Sequence, residues 1–393
     1  MRIITRNIWI LSVVSLLTDV ASEMLYPVMP VYLASINFSI FLIGVLEGCA
    51  EAFAGLSKGY FGKLSDNAGR RLPFVQLGYL LSAISKPMMG LWTFVWWIFF
   101  ARFTDRIGKG IRTGARDALL SDEATPETKG QVFGFHRAMD TLGAVAGPAV
   151  ALLFLYCYPG QYRWLFFAAF VPGIIAIGFT LLIREKKTER APARQRPGFF
   201  AFIRYFRTAP AQYRLVVAGL LLFALINSSD VFLLLRIREA TGSDTTTIGI
   251  YIFYNLVFAL LSYPLGLLAD RIGMRKVLAA GFVLYALAYG CMAFGSSVYM
   301  FGIAFLFYGI YGAATEGVGK AWLTNIAGKN DTATAIGTYT AFQSICTLIA
   351  SSLTGLLWLK AGSTAALFLP ALIAIIIACY FQFSASLRRP QDR

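Results

Sequence analysis

The stretch of sequence that decides the fold occurs twice, as Gly62-Lys-Leu-Ser-Asp66-Asn-Ala-Gly69-Arg70-Arg71 and as Gly266-Leu-Leu-Ala-Asp270-Arg-Ile-Gly273-Met-Arg275-Lys276. In both copies two glycines flank an aspartate, and corresponding residues such as Gly62 and Gly266 are 204 positions apart. Glycine lets the end of one helix approach its neighbour, the acid can cap the next helix or pair with a base, and the bases anchor in a headgroup layer. The repeat therefore indicates a parallel duplication of two similar halves.

The composition predicts that most of the chain lies in a membrane. Of the 393 residues, 58% are hydrophobic and only 14% are charged, whereas a soluble domain carries about 25% charged residues. About 20 apolar residues cross a bilayer as one helix. We therefore predict an all-α polytopic membrane protein whose twelve transmembrane helices form two pseudo-symmetric six-helix bundles. The predicted spans lie near residues 8–33, 39–58, 73–90, 91–111, 131–157, 162–183, 214–235, 246–268, 277–294, 298–318, 333–358 and 364–386.

The distribution of basic residues predicts the topology. The net charge is +15, and the bases cluster in the connections that follow even-numbered spans, which is the bias of loops facing the cytoplasm. This bias accounts for the charge without nucleic acid. We expect a multi-pass protein of a bacterial-type inner membrane with both termini cytoplasmic. Residues 1–184 form the predicted N-terminal bundle, 185–213 a cytoplasmic linker with an amphipathic segment at the membrane surface, and 214–393 the C-terminal bundle.

The sequence gives little support to enzyme chemistry. It contains no HExxH or Walker pattern, and its single Gly-x-Ser-x-Gly match, Gly55-Leu-Ser-Lys-Gly59, falls at the end of a predicted membrane span rather than at a strand-to-helix turn, so hydrolysis and ATP-driven transport lack support. The five cysteines are widely spaced, and His136 is the only histidine. We therefore expect no enzymatic activity, no catalytic residue, no metal site and no cofactor other than a proton gradient.

The repeated segment resembles the loop signature of the major facilitator superfamily. The resemblance extends over the whole chain through the span count, the central linker and the second copy of the signature. It implies a secondary transporter that works by alternating access, and we expect a monomer in the lipid bilayer with a small-molecule substrate. In that family the signature residues gate the cytoplasmic side without touching substrate. The matching residues are Gly62, Asp66, Gly69, Arg70, Arg71, Gly266, Asp270 and Arg275.

Two shorter segments also resemble motifs of this superfamily. Arg106-Ile-Gly-Lys-Gly110 resembles the buried-arginine motif that is linked with proton coupling. Gly143-Ala-Val-Ala-Gly147-Pro148 resembles the Gly-x-x-x-Gly-Pro motif of proton-driven exporters. The further glycines of that motif are replaced by Ala149, Val150 and Ala151. Close helix packing through small residues is the alternative interpretation of this segment.

Acidic residues inside the predicted spans are candidates for proton coupling. Asp19 and Glu23 in span 1, like Glu47 and Glu51 in span 2, are four residues apart and share a helix face. Their depths along the helices place both pairs near the middle of the membrane. Crowded carboxylates in a low dielectric cannot all ionise, so at least one of the four should hold a proton near neutral pH. We predict these four residues and Asp140 as the proton-coupling residues. Structural ion pairs with bases of spans 3 to 5 are the alternative, and sodium could replace the proton.

The second half is expected to supply a polar and aromatic wall for the substrate. Its predicted spans contain few charges but many tyrosine and amide side chains. Pro27 and Pro30 predict a kink or a break in span 1, which would also border the site. The predicted substrate-binding residues are Arg106, Arg137, Asp230, Tyr251, Asn255, Tyr308, Tyr311, Glu316 and Gln343.

The direction of transport stays open at the level of sequence. The acids and the Gly-Pro segment favour a proton antiporter that exports cationic or lipophilic compounds. The arginines of spans 4 and 5 favour the alternative, a proton symporter that imports an anionic small molecule or a metal chelate. A lipid transporter on the same fold is a third interpretation. A channel would need rings of like groups and usually oligomeric symmetry, which a twofold internal duplication does not provide.

Overall fold

The computed structural model describes residues 3–26, 28–29, 32–33, 36, 40–185, 198, 201–328 and 330–383. Every regular element in these ranges is an α-helix, so the predicted all-α architecture is confirmed. The helices are α1 (Arg6–Glu23), α2 (Ile40–Ala68), α3 (Leu72–Leu91), α4 (Val95–Asp122), α5 (Lys129–Cys157), α6 (Tyr162–Thr180), α7 (Ala201–Thr208), α8 (Ala211–Ala224), α9 (Val231–Thr241), α10 (Asp244–Ile272), α11 (Met274–Phe294), α12 (Val298–Ile326) and α13 (Thr332–Phe383).

Several of these helices have the length and composition of membrane spans. Helix α13 has 52 residues, about twice what a bilayer requires, and Gly362 divides it with a φ of 81°. Only glycine adopts such a backbone readily, so α13 supplies the last two predicted spans. By length and composition, six helices of the described chain could cross a membrane: Lys129–Cys157, Tyr162–Thr180, Gly249–Ile272, Met274–Phe294, Val298–Ile326 and Thr332–Gln382.

Helix α4 is long enough to cross a membrane but carries many charges. It has 28 residues, and its charged side chains Arg112, Arg116 and Asp117 are at most 8% exposed. Charges inside a membrane are tolerated where they face protein or a water-filled cavity. The burial of these residues therefore explains how so basic a helix can be part of a membrane protein.

The predicted seventh span is two helices rather than one. Helix α8 ends at Ala224 and α9 begins at Val231, and the residues between them include the polar run Asn227-Ser-Ser-Asp230. Short polar side chains compete with helical backbone hydrogen bonds, which favours a break at this position. Proline is not required for the interruption, and α10 continues as a helix through Pro264. The prolines predicted to kink span 1, Pro27 and Pro30, lie outside the described residues.

The chain forms two compact units. Unit 1 contains residues 1–123, 139–208 and 328–341, and unit 2 contains residues 124–138, 209–327 and 342–393. Each unit therefore includes the beginning of one helix from the other half of the sequence, α13 in unit 1 and α5 in unit 2. The bundle and linker boundaries predicted from sequence stay predictions.

Helix α7 packs against protein in unit 1. Its side chains Phe202 and Tyr205 are 2% and 7% exposed. The Phe202 ring fills the space beside Gly59 of α2, where an added Cβ would lie 2.7 Å from the ring, and the Thr338 hydroxyl of α13 donates to the Phe202 carbonyl at 3.2 Å. The amphipathic segment of the linker thus buries its apolar side on α2 and α13. Residues 186–197 of the predicted linker lie outside the described chain.

Candidate functional site

Each aspartate of the repeated segment caps the first turn of a helix. In unit 1, Asp66 accepts hydrogen bonds from the backbone nitrogen and the hydroxyl of Thr334 at 2.7 and 2.8 Å. In unit 2, Asp270 accepts from the backbone nitrogens of Gly130 and Gln131 at 2.8 and 2.7 Å. A carboxylate satisfies free N–H groups at a helix start and complements the helix dipole. The repeat therefore builds the same charge-assisted cap twice, on α13 and on α5.

The first glycine of each copy brings the backbones of two helices together. Gly62 lies against the Ala333 carbonyl, where an added Cβ would also be 3.4 Å from the Cα of Gly337. Gly266 lies against the Gly130 carbonyl, where an added Cβ would be 3.2 Å from the Cα of Gly134. The second glycines, Gly69 and Gly273, have positive φ angles of 66° and 99° and form the turns that follow.

We expect the substitution Gly266→Val to destabilise the protein markedly. Its side chain would collide with the Gly130 carbonyl, which is backbone and cannot rotate away. Overpacking of this kind costs about 1–3 kcal/mol, so the melting temperature in detergent should fall by several degrees. The matched control is Gly290→Val in α11, because a Cβ there meets no described atom within 4 Å. Equal melting temperatures for the two variants would contradict the close helix contact.

The last arginine of the first copy is buried among acids. Arg71 is 1% exposed, and its guanidinium contacts Asp122 and lies 3.1 Å from Asp66. The backbone nitrogens of Arg71 and Leu72 donate to the Glu185 carboxylate at 2.7 and 3.1 Å, which caps α3. Sequence analysis missed Glu185, because a cap from a distant loop leaves no local pattern.

The other bases of the repeated segment are closer to the surface. Arg70 is exposed and Arg275 is partly buried at the start of α11. Lys63 pairs with Asp331 at 3.1 Å in unit 1, with both side chains about a third exposed. The sequence predicted that the bases of this segment anchor in a headgroup layer. Arg71 does not, because its guanidinium is buried against Asp66 and Asp122.

Gly143 and Gly147 let α5 approach α1 closely, which brings Asp140 of α5 next to α1. Added Cβ atoms would lie 2.6 Å from the Leu16 carbonyl at Gly143 and 2.8 Å from the Val20 carbonyl at Gly147. The Gly-x-x-x-Gly-Pro segment therefore forms a close helix contact between α5 and α1 in unit 1. This contact puts Asp140 of α5 beside the acidic face of α1.

Two acids of unit 1 meet at this helix contact. Asp19 packs against Gly143 of α5, where an added Cβ would lie 2.9 Å from the Asp19 Cβ, and its carboxyl group interacts with that of Asp140. The Ser15 hydroxyl donates to Asp140 at 2.5 Å, and Arg116 donates to Ser15 at 3.1 Å. A hydrogen bond between two carboxyl groups needs a proton, since two carboxylates only accept. The pair is therefore suited to hold a proton inside the membrane.

The remaining predicted proton-coupling residues lie around this pair or outside the described side chains. Glu23 interacts electrostatically with Lys109 and Arg106, so Arg106, which was predicted to bind substrate, lies near an acid of unit 1. Glu47 and Glu51 belong to α2, but their side chains are outside the described residues.

A second group of charges lies in unit 2 at the break between α8 and α9. The Tyr308 hydroxyl donates to Asp230 at 2.6 Å. Arg137 pairs with Glu316 at 2.5 Å, and its guanidinium carbon lies 4.9 Å above the centre of the Phe258 ring. Asp230 is electrostatically coupled to both Glu316 and Arg137. Two acids, Asp230 and Glu316, thus outnumber the one base Arg137 among these coupled residues.

Tyrosine rings line this second group. Tyr254 stacks on Tyr308 with ring centres 5.1 Å apart, and Tyr285 stacks on Tyr289 at 4.1 Å. The Asn227 amide donates to the Tyr311 hydroxyl at 3.2 Å. Sequence analysis did not assign Tyr285 and Tyr289 to the site, because tyrosines four residues apart in an apolar run are also typical of packing.

The structure brings most of the predicted substrate residues into unit 2. Asn255 donates to the carbonyl of Tyr251 within α10 at 3.0 Å, and Tyr251 lies beside Tyr254 with ring centres 5.9 Å apart. Gln343 is partly buried in α13 of the same unit. Their roles in binding stay predictions.

Buried acids, a broken helix and an aromatic wall within apolar helices are typical of polytopic membrane transporters. The chain also matches the family model of the Major Facilitator Superfamily over residues 11–253 and 231–393. It belongs to that family, whose twelve-helix fold it shares, and is a transporter rather than an enzyme.

Individual relatives agree with the family assignment. The chain is 31% identical over 365 residues to an MFS-type transporter of Methanocaldococcus jannaschii, covering 91% of this chain and 89% of that protein. It is 25% identical over 312 residues to the multidrug resistance protein MdtG of Enterobacter lignolyticus, covering 76% and 72%. The solved fucose:proton symporter FucP of Escherichia coli has a TM-score of 0.80 at 14% identity, covering 97% and 99%. At that identity the likeness to FucP shows the fold alone.

Proposed function

We propose that the protein is a proton-coupled antiporter that exports cationic or lipophilic compounds by alternating access. The observation that carries this proposal is the interaction between the carboxyl groups of Asp19 and Asp140 inside unit 1. A proton bound there changes the charge beside Arg116 and Lys109. Because a ligand shifts a conformational equilibrium by binding one state more tightly, the proton can drive the transport cycle.

The polar group in unit 2 supports a cationic substrate. Asp230 and Glu316 outnumber Arg137 there, and the rings of Tyr254 and Tyr308 supply faces that attract cations. The similarity to a protein named for multidrug resistance supports export. We expect the remaining predicted residues of this unit to shape the apolar part of the binding surface.

Import of an anion with protons is the second candidate function. Helix α4 favours it, because Arg106 and Lys109 are basic and the Lys109 side chain is exposed. Both bases lie near Glu23, however, and Arg102 and Lys86 pair with Asp105 at 3.7 and 2.7 Å. Acids therefore offset much of this positive charge, which is why we place export first.

The proposal includes the cellular setting. We propose that the protein works as a monomer in an inner membrane, with both termini in the cytoplasm and the proton gradient as its energy source. Asp66 and Asp270 would serve as gating residues, since each holds the start of a helix. No other cofactor is required by this mechanism, and a sodium gradient is the alternative energy source.

Proton movement in liposomes tests the proposal. The purified full chain is reconstituted with the pH indicator pyranine inside, and benzylguanidinium or glycerol 3-phosphate is added outside. Antiport of the cation moves protons out and makes the lumen alkaline, whereas symport of the anion makes it acidic. Empty liposomes control for leakage. Alkalinisation by the cation supports the proposal, and acidification by the anion overturns it in favour of import.

A further inference from the structure

The break between α8 and α9 places polar groups within an apolar segment. At the C-terminal end of α8 the Phe223 carbonyl accepts from the backbone nitrogens of Ile226 and Asn227. The Ile226 carbonyl accepts from the Tyr285 hydroxyl at 3.1 Å. The half-helix dipole makes this end negative. The polar run Asn227-Ser-Ser-Asp230 follows directly. Helix ends of this kind can bind cations in broken transporter helices.

Asn227 and Ser228 have buried polar atoms that the fold itself does not satisfy. The Asn227 amide nitrogen donates to Tyr311, but its oxygen accepts no hydrogen bond from any residue that the structure describes. Ser228 is 3% exposed, and its hydroxyl lies beside that of Tyr289. Neither hydroxyl makes a hydrogen bond of normal geometry within the described chain. A buried acceptor without a donor is costly, so these atoms indicate a missing ligand.

The acceptors of the break gather around one tyrosine. Tyr308 donates to Asp230, its ring centre lies 5.4 Å from that of Tyr311, and 6.1 Å from that of Tyr289. Asn227 contacts Tyr311 and Ser228 adjoins Tyr289, so Asn227, Ser228 and Asp230 border the same group of rings. Asp230 keeps acceptor capacity beyond the Tyr308 bond, because a carboxylate has about four lone-pair sites.

We propose that the break binds the head group of a protonated amine that carries N–H donors, with the Asn227 oxygen, the Ser228 hydroxyl and the Asp230 carboxylate as acceptors. The inference rests on the proposed function, because it narrows the class of exported cations. Aromatic walls alone would suit a quaternary ammonium group. The hydrogen-bond acceptors of the break favour a protonated amine over a quaternary ammonium group. A quaternary group has no N–H donor and would leave these acceptors unpaired.

Binding of a matched pair of ligands to the purified full-length protein tests the inference. The probes are phenethylammonium and its N,N,N-trimethyl analogue, measured by isothermal titration calorimetry at neutral pH in detergent with choline as the salt cation. We expect phenethylammonium to bind at least about tenfold more tightly, since each lost hydrogen bond to a buried acceptor weakens binding by about that factor. Equal affinity of the two probes, or tighter binding of the trimethyl analogue, overturns the inference.

The variant Asn227→Leu separates this inference from the broader proposal. It removes the unpaired oxygen at similar volume, so the preference for phenethylammonium should shrink severalfold while the affinity for the trimethyl analogue stays the same. The matched control is Ser352→Ala in α13, whose hydroxyl bonds only to the carbonyl of Leu348 in its own helix among described atoms. An unchanged preference in Asn227→Leu overturns the inference but leaves cation export standing.

A small inorganic cation is the competing occupant of these acceptors. Sodium is tested in the same experiment by replacing choline chloride with sodium chloride. If sodium binds and the amine does not, the break is an inorganic cation site and the inference is wrong. Binding by neither amine probe overturns the inference too, and cation-driven proton movement in liposomes then decides separately whether the proposed export holds.

Discussion

Replacement of Asp140 by asparagine is expected to abolish proton movement coupled to the cation while the protein stays folded. The amide keeps the shape of the side chain and still accepts the hydrogen bond from Ser15, but it can no longer exchange a proton with Asp19. The variant should therefore show alkalinisation of pyranine-loaded liposomes no faster than empty liposomes. Asp19→Asn should behave in the same way, because a shared proton needs both carboxyl groups.

The control for this prediction is an acid that lies outside the pair. Glu239 of α9 has a side chain that is 52% exposed and pairs weakly with Arg236 at 3.5 Å. Glu239→Gln should keep the proton signal, since exposed pairs contribute about 0–1 kcal/mol. Exchange of labelled benzylguanidinium across the membrane should persist in Asp140→Asn, which distinguishes lost coupling from lost binding. A proton signal of normal rate in Asp140→Asn would show that the acid pair does not couple transport.

The repeated segment predicted much of the fold but not its contacts. Its spacing indicated a duplication, and its acid was expected to cap a helix or pair with a base. Asp66 does both, but its helix partner Thr334 is 268 residues away. Local sequence fixes which backbone can turn and which side chain can accept hydrogen bonds. It does not specify which helix start is brought to that side chain, because long-range packing decides this.

The acid pair shows a similar limit. Asp19 and Glu23 share a helix face by their spacing, and Asp140 was assigned to proton coupling from its position in a span. The interaction of Asp19 with Asp140 depends on the crossing of α1 and α5 at Gly143 and Gly147. Small residues in that segment predicted close packing, yet the partner helix is a property of the folded unit.

The sequence did not predict the break in the seventh span, which is α8 and α9 in the structure. Residues 214–235 look like one apolar run, because Asn227 and its polar neighbours occupy less than two helical turns. A break without proline has no strong sequence signal, since serine and asparagine are also tolerated within membrane helices. Contacts such as the bond from Tyr308 to Asp230 then decide that the polar run lies outside the helix.

Removal of the charge of Asp66 is expected to destabilise the protein more than removal of the charge of Asp270. Both acids cap a helix, and loss of a charge at such a cap costs about 0.3–1 kcal/mol. Asp66 in addition pairs with Arg71, and both side chains are 1% exposed. A buried charge that loses a partner costs about 3–5 kcal/mol. Arg71 keeps its contact with Asp122, so Asp66→Asn should lie toward the lower end of that range.

Melting temperatures of the purified variants test this order. We expect Asp66→Asn to melt lowest, Asp270→Asn at an intermediate temperature, and the control Asp331→Asn close to the unmodified protein. Asp331 is suited as the control because its pair with Lys63 is partly exposed, and such pairs contribute little. If Asp66→Asn melts at the same temperature as Asp331→Asn, the buried pair with Arg71 does not stabilise unit 1. If only Asp270→Asn lowers the melting temperature, the predicted order is wrong. The Asp270 cap on α5 then stabilises the protein more than the Asp66 cap on α13 does.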